Sequence, residues 1–347
     1  MLFEQIATGG CQSYLIGCPE THVAAVIDPE QRQIDCYRGL AARDGLRIRY
    51  VIETHTHADH FSGAGQLAEE TGATVVAHRL SPAPHTKLRL EDGELLHVGG
   101  LALQALHTPG HTRDSLCLLA GDRVFTGDTL LIGGTGRTDL PTGDPEALYD
   151  SLFNKLLKLD PALIVYPAHD YKGRSSSTLA AEIADNPRLQ KKDRAEFVAM
   201  MRELNLAAPT HLTEALRTNM SGGKTIAQLL AEAAATVPFL GMDDLARRVE
   251  AGALDLILLD VRERDAFDAG HIPGATHLPR GQLELRVNEM LPDPTARILT
   301  CCEYGRISTL AAATLRMLGF QRAVALDGGM KAWRDAGLPI AKTADRA

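Results

Sequence analysis

His55, His57, Asp59 and His60 fall within the single run Thr54-His55-Thr56-His57-Ala58-Asp59-His60. Imidazoles and carboxylates are the common ligands of divalent metals, and so dense a set points to a metal site rather than an ordinary polar loop. Three more residues of the same chemistry follow at a distance. His111 closes the run His107-Thr108-Pro109-Gly110-His111, Asp128 follows Gly127, and His169 sits in Ala168-His169-Asp170-Tyr171. A different chemistry is offered by Cys302-Glu303-Tyr304-Gly305-Arg306-Ile307-Ser308. A thiol in a loop that leads into a helix faces inward-turned N–H groups, which bias it toward the nucleophilic thiolate.

Each metal-type residue needs an element to carry it to a common place. Apolar runs at 49–52, 101–106, 123–126 and 162–167 read as strands, each ending at one of the four loops. Gly110 allows a tight turn before His111. Residues 12–28 read as a hairpin, 31–44 and 64–70 as helices, 74–77 as a strand and 81–100 as a loop. Asp144-Pro145 opens a helix whose apolar stripe is Leu148, Leu152, Leu156 and Leu159. Strands alternating with helices predict an α/β layered core. Residues 175–236 read as a helical extension and linker, and the pattern resets near Thr236-Val237-Pro238. That divides the chain into 1–236 and 237–347. The second part reads as a small parallel α/β domain, with strands at 256–262, 297–300 and 324–326.

The 347 residues are 45% hydrophobic, enough for two cores, and carry a net charge of -8. That balance argues against nucleic acid, whose phosphates call for basic surfaces. No apolar run is long enough for a membrane span, and residues 1–5 lack a basic, then apolar, leader pattern. Six irregularly spaced cysteines suit a reducing compartment, so the expectation is a cytoplasmic protein without membrane attachment.

Taken together, the run from His55 to His60, Gly110-His111, Gly127-Asp128 and Ala168-His169 resemble the metallo-β-lactamase superfamily. The resemblance covers about two-thirds of the chain and implies an αββα sandwich with metal at the sheet edges. Dinuclear hydrolases of the glyoxalase II type use all seven positions, and on that alternative the chain would be a Zn(2+)-dependent thioester hydrolase with an accessory domain. The chain more closely resembles the persulfide dioxygenases, through Thr126-Gly127-Asp128-Thr129, Gly136-Arg137-Thr138-Asp139, Tyr166-Pro167-Ala168-His169-Asp170-Tyr171, Asn186-Pro187-Arg188-Leu189 and Leu204-Asn205-Leu206. That resemblance implies one Fe(2+) held by His55, His111 and Asp128. His57, Asp59, His60 and His169 would then orient ligands and water, or hold a second metal. Two histidines and a carboxylate leave open positions on iron. Arg137 and Tyr171 match positions that contact the glutathione part of the substrate.

The second domain is similar to the rhodaneses, sulfurtransferases that carry sulfane sulfur on a cysteine. Leu259-Asp260-Val261-Arg262, Gly270-His271-Ile272-Pro273-Gly274-Ala275 and Asp327-Gly328-Gly329 support this, and Cys302 stands at the catalytic position. The loop would be Glu303, Tyr304, Gly305, Arg306 and Ile307. Many rhodaneses carry arginine five residues after the cysteine, where this chain has Ile307, which leaves the sulfur donor open. The resemblances together imply glutathione persulfide and O2 as substrates at the first site, with glutathione and sulfite as products. At the second, sulfur would pass between thiosulfate or sulfite and glutathione. A homo-oligomer is compatible with all of this.

Overall fold

The computed structural model describes residues 1–204, 206–207 and 212–343. Asn205, noted above, lies outside the described residues, as do 208–211 and 344–347. The chain forms two compact units, Met1–Gly223 and Lys224–Ala347.

In the first unit, one six-stranded sheet runs in sequence order: β1 (Leu2–Thr8), β2 (Cys11–Cys18), β3 (Val23–Ile27), β4 (Arg47–Ile52), β5 (Thr74–His78) and β6 (Leu88–Leu90). The second sheet contains β7 (Leu95–Val98), β8 (Leu101–His107), β9 (Leu116–Ala120) and β10 (Arg123–Gly127). A small hairpin, β11 (Leu130–Leu131) and β12 (Gly134–Thr135), separates these from β13 (Ile164–Pro167) and β14 (Ser177–Thr178). The order in the second sheet is β14-β13-β10-β9-β8-β7.

Alternation along the strands builds the layers. On β2, Tyr14 and Ile16 face a core shared with Leu103, Leu118 and Phe125 of the second sheet. Leu15, between them, faces α1 (Ile34–Arg43) and α2 (Ala64–Thr71) through Tyr37 and Leu67. A strand's period of two makes this division unavoidable. The outer face of the second sheet packs on Leu148, Leu152 and Leu156, on Leu179 of α4 (Leu179–Asp185) and on Phe197 of α5 (Arg194–Arg202). The unit is therefore an αββα sandwich.

Three features differ in detail from the sequence reading. The stretch 81–100 holds β6 and β7, which are too short to stand out in a stretch rich in turn residues. The helix opened by Asp144 is α-helical only as α3 (Pro145–Tyr149). It widens to a π-helical segment over Asp150–Lys155, which keeps the leucine stripe facing the sheet. The chain divides before α7 (Ile226–Thr236), and α7 packs on α11 (Arg306–Met317) of the second unit. The helix α6 (Leu212–Ser221) belongs to the first.

The second unit holds one sheet in the order β15 (Phe239–Leu240), β19 (Ala323–Leu326), β18 (Ile298–Cys301), β16 (Ile257–Asp260) and β17 (Thr276–His277). Every pairing in it is parallel. Such a sheet needs helices on both faces. α10 (Leu283–Met290) and α11 cover one through Val287 and Leu315. α8 (Met242–Glu250) and α12 (Gly329–Asp335) cover the other through Leu245, Met330 and the fully buried Trp333. α9 (Arg264–Ala269) follows β16.

Candidate active sites

β4 delivers the histidine run to the edge of the first sheet, and Asp28, just past β3, shapes it. Asp28 Oδ1 accepts the Thr54 N–H and Oδ2 accepts the Thr54 hydroxyl, each at 2.7 Å. Because the Thr54 hydroxyl donates to Asp28, its oxygen accepts from His55 Nδ1–H at 2.9 Å. That fixes the tautomer and leaves the lone pair on His55 Nε2, which is buried without a hydrogen-bond partner. Burial, reinforced by His57, holds His55 well below the ordinary histidine range, so it stands in the neutral, metal-ligating form.

His111 is set by the same logic. Its Nδ1–H donates to the Arg137 carbonyl at 2.8 Å, which fixes the ring and turns Nε2 toward Asp128. Gly110 before it has φ +142°, and a Cβ there would strike the Leu148 backbone at 2.3 Å. A Cβ on Gly136 would strike the Asp128 carbonyl and the His111 ring. Asp128 Oδ2 lies 3.6 Å from His111 Nε2, while Oδ1 accepts from His169 Nδ1–H at 2.6 Å. Burial alone would raise the Asp128 carboxyl, but the His169 imidazolium beside it outweighs that and keeps it ionised. One donor atom from each of His55, His111 and Asp128 lies within 4.8 Å of the others, all buried. The Nε2 atoms of two imidazoles, that of neutral His55 orphaned in the interior, and an ionised carboxylate fit a divalent metal.

The other four ligand-type residues lie around this trio. His169 Nε2 is 2.7 Å from Asp59 Oδ2, so His169 bridges two carboxylates. Burial opposes its charge, but Asp128 and Asp59 raise it well above the ordinary range. His60 Nδ1 lies 3.3 Å from Asp59, and despite burial His60 is pushed up to about 10. Cys11 Sγ is 3.5 Å from the same carboxylate, and Cys11, Asp59, His60 and His169 form a second group of close donors. His57 Nε2 meets Asp28 at 3.2 Å, and its Nδ1 is buried and unpartnered.

Two positions in this scaffold were not singled out from sequence. Asp28 carries no local signal beyond a strand end, although its φ of +50° marks it as a strained, over-determined position. Asn219 of α6 donates to the carbonyls of His57 and His60, each at 2.9 Å, and accepts from Ser62 N–H. It lies far along the chain from the loop it ties down, so no sequence window contains both.

A cavity of about 600 Å³ opens over His111, Asp128 and His169. Tyr171, 75% exposed, stacks over His169 at its mouth and packs on Gly10. Arg137 lines the cavity with its guanidinium occupied. Nε and Nη2 both meet Asp139 at 2.6 Å, and Nη1 donates to the Ala207 carbonyl.

In the second unit, Cys302 follows β18 and precedes α11. Its sulfur receives the Ser308 N–H, from the first turn of α11, at 3.2 Å. The loop is clasped from α12: Met330 N–H donates to the Cys302 carbonyl and Lys331 N–H to that of Glu303. A Cβ on Gly329 would collide with the Cys302 carbonyl at 2.5 Å, so glycine is needed for this approach. Glu303 pairs with Arg334 and, at 3.4 Å, with Arg262. Tyr304 and Ile307 are exposed, and Arg306 opens α11. Cys301 ends β18 in the core, where burial pushes its thiol well up. His271 stacks on Phe267 and bonds its carbonyl.

Comparison with known proteins follows the same division. Residues 8–169 match the metallo-beta-lactamase superfamily and residues 241–336 the rhodanese-like domain. The chain is 39% identical over 214 residues to the mitochondrial persulfide dioxygenase ETHE1 of Bos taurus, covering 61% of this chain and 84% of that protein. It is 35% identical over 224 residues to a hydroxyacylglutathione hydrolase of Nitrosococcus oceani, covering 61% and 80%. The crystal structure of ETHE1 from Myxococcus xanthus matches with a TM-score of 0.63 at 42% identity, over 65% of this chain and all of that one. Among the described residues, no helix is long and apolar enough to cross a membrane.

Proposed function

The chain belongs to the metallo-β-lactamase superfamily, on its persulfide dioxygenase branch, with a rhodanese-like domain behind, and on that premise we propose two linked activities. The first unit oxidises glutathione persulfide: GSSH + O2 + H2O gives GSH, sulfite and two protons. The second moves sulfane sulfur through Cys302.

The observation that carries the first reading is the buried, unpartnered Nε2 of His55 beside His111 and Asp128. These three residues would hold one ferrous ion, which supplies the redox chemistry that lets a persulfide react with O2. The protein's own part is positional. Thr54, Arg137 and His169 fix the tautomers and the carboxylate orientation, so the donors are arranged before metal arrives. The Tyr171 ring walls the mouth of the cavity, and Arg137, locked to Asp139, shapes its rim beside the thiol part of the substrate. A persulfide seated there is confined next to the reacting centre, replacing a bimolecular encounter.

At Cys302, the thiolate would attack thiosulfate, releasing sulfite and leaving a cysteine persulfide. Glutathione then takes the outer sulfur as GSSH and restores the thiolate. The Ser308 N–H and the α11 N-terminus stabilise the charged sulfur between the two steps.

A second reading has its own support. The group Asp59, His60 and His169, with the orphaned Nδ1 of His57, offers donors for another metal, and the hydrolase relative points the same way. That protein would be a dinuclear zinc thioesterase. Anaerobic purification with iron and zinc quantitation, alongside oxygen uptake on glutathione persulfide, separates the two. About one iron per chain, lost together with oxygen uptake in His111→Ala, is the expected result. Two zinc ions with thioesterase activity would replace this reading by the second.

A further inference from the structure

The first unit holds a second, smaller hollow of about 50 Å³. Its walls are mainly apolar, formed by Ala58, Pro82, Leu140, Pro141, Leu216 and Met220. The polar residues that also line it are bonded within the protein. The Thr56 hydroxyl donates to Asp114 Oδ2 at 2.7 Å. The Thr112 and Ser115 hydroxyls bond each other at 2.8 Å, and the Arg113 N–H donates to the Thr142 hydroxyl at 3.4 Å. A buried water settles where about two to four polar groups are free to bond it, whereas an apolar hollow stays dry and takes small apolar guests.

Two of these residues, Ala58 and Leu140, also line the large cavity over His111 and Asp128. The two spaces thus share a wall made of one methyl and one isobutyl group. Ala58 belongs to the histidine run itself, between His57 and Asp59. Another part of the hollow's wall is α6, on which Leu216 and Met220 stand one turn apart. Asn219, between them, holds the carbonyls of His57 and His60. The contact that ties α6 to the histidine run therefore also sets the two walls of the hollow. Met220 is 39% exposed, so the hollow meets the surface beside an unbranched, easily rotated side chain.

We propose that this hollow is the port through which dioxygen enters the first unit, crossing into the large cavity at Ala58 and Leu140. The oxidation needs two substrates at once, and they differ in chemistry. The persulfide is large and charged and suits the wide cavity, whose lining includes Arg137, Asp170 and Arg174. Dioxygen is small, uncharged and apolar, and it partitions into apolar volume. A separate port lets it arrive while the thiol substrate fills the mouth beside Tyr171. The proposal rests on the persulfide reading above, since a thioesterase has no use for a gas. It adds no chemical step to that reaction.

The test uses xenon, an apolar probe of gas sites, on crystals of the full chain. Xenon should sit between Ala58, Leu140 and Leu216 in the wild type. Oxygen uptake by the iron-loaded protein is then measured against O2 and against glutathione persulfide in turn. Leu216→Phe, which puts a ring into the hollow, should exclude xenon. It should lower kcat/KM for O2 by at least about threefold, while KM for the persulfide and iron content stay. Met220→Trp should do the same from the surface, and Leu216→Ala, which widens the hollow, should not lower kcat/KM for O2. Equal losses in Leu216→Phe and Leu216→Ala, or a matching loss toward the persulfide, would mean that α6 only braces the histidine run, and the proposal falls. It falls equally if xenon does not enter the wild-type hollow while oxygen is consumed, a result that needs no variant and leaves the dioxygenase reading standing. No oxygen uptake by the wild type, with xenon seated in the hollow, would instead overturn the dioxygenase reading and the port with it.

Discussion

Asp28 grips Thr54 with both carboxylate oxygens, one on its N–H and one on its hydroxyl, each at 2.7 Å. Through that hydroxyl the proton on His55 is placed, and through Oδ1 His57 is held as well. One buried acid at the end of one strand thereby sets the ligand geometry at the end of the next. Asp28→Ala should lower metal affinity by about ten- to a hundredfold, the usual loss when a ligand's outer partner is removed. Competition with a chelator of known affinity measures this. Unchanged metal affinity would show that Thr54 holds His55 without help.

Gly110→Ala should destabilise the first unit. The added methyl group meets the Leu148 backbone, and φ +142° is a conformation that alanine avoids. A loss of about 2–4 kcal/mol in urea unfolding is expected, with metal content falling as His111 is displaced. A variant of wild-type stability would mean that α3 moves aside freely.

Cys302→Ser should erase sulfur transfer from thiosulfate to glutathione, because a serine hydroxyl stays protonated and forms no persulfide. Oxygen uptake with supplied glutathione persulfide should persist, since His55, His111 and Asp128 all belong to the other unit. Cys301→Ser should leave transfer largely intact, its sulfur being in the core. Transfer surviving in Cys302→Ser but lost in Cys301→Ser would move the nucleophile by one position.

His78 gives the first unit a pH dependence distinct from that of the metal-type residues. It is buried at the end of β5, stacked on His107 at 3.9 Å. Burial, reinforced by the facing His107, lowers it to about 4. Between its ordinary value of about 6.5 and 4, the unfolded chain binds a proton that the folded one refuses. Its contribution to stability is therefore complete above about 6.5 and is lost as the pH falls toward 4. Between pH 7.5 and 5 the loss is on the order of 1–2 kcal/mol. His78→Asn should show a smaller drop over that interval in urea titrations. Identical slopes in both proteins would remove His78 as the source.

The sequence by itself determined where the candidate residues stand. His55, His111, Asp128 and His169 each follow an apolar run, and Cys302 stands between a strand and a helix. Those are local patterns, written within a few residues by side-chain alternation and turn chemistry. An α/β layered core and the parallel second sheet were legible for the same reason, since strand and helix periods show in short windows, whereas the αββα arrangement was implied by the resemblance to the metallo-β-lactamase superfamily. The tertiary structure decided what those residues are bonded to. Asp28 under the histidine loop, Asn219 tying it from α6 and Asp139 occupying Arg137 are relations of charge and distance in the folded chain. Most of them join residues tens of positions apart, and a hydrogen bond of 2.7 Å leaves no trace in the spacing of its partners. The division before α7 was settled the same way, by packing on α11, because a linker helix and a domain's first helix share one amphipathic pattern.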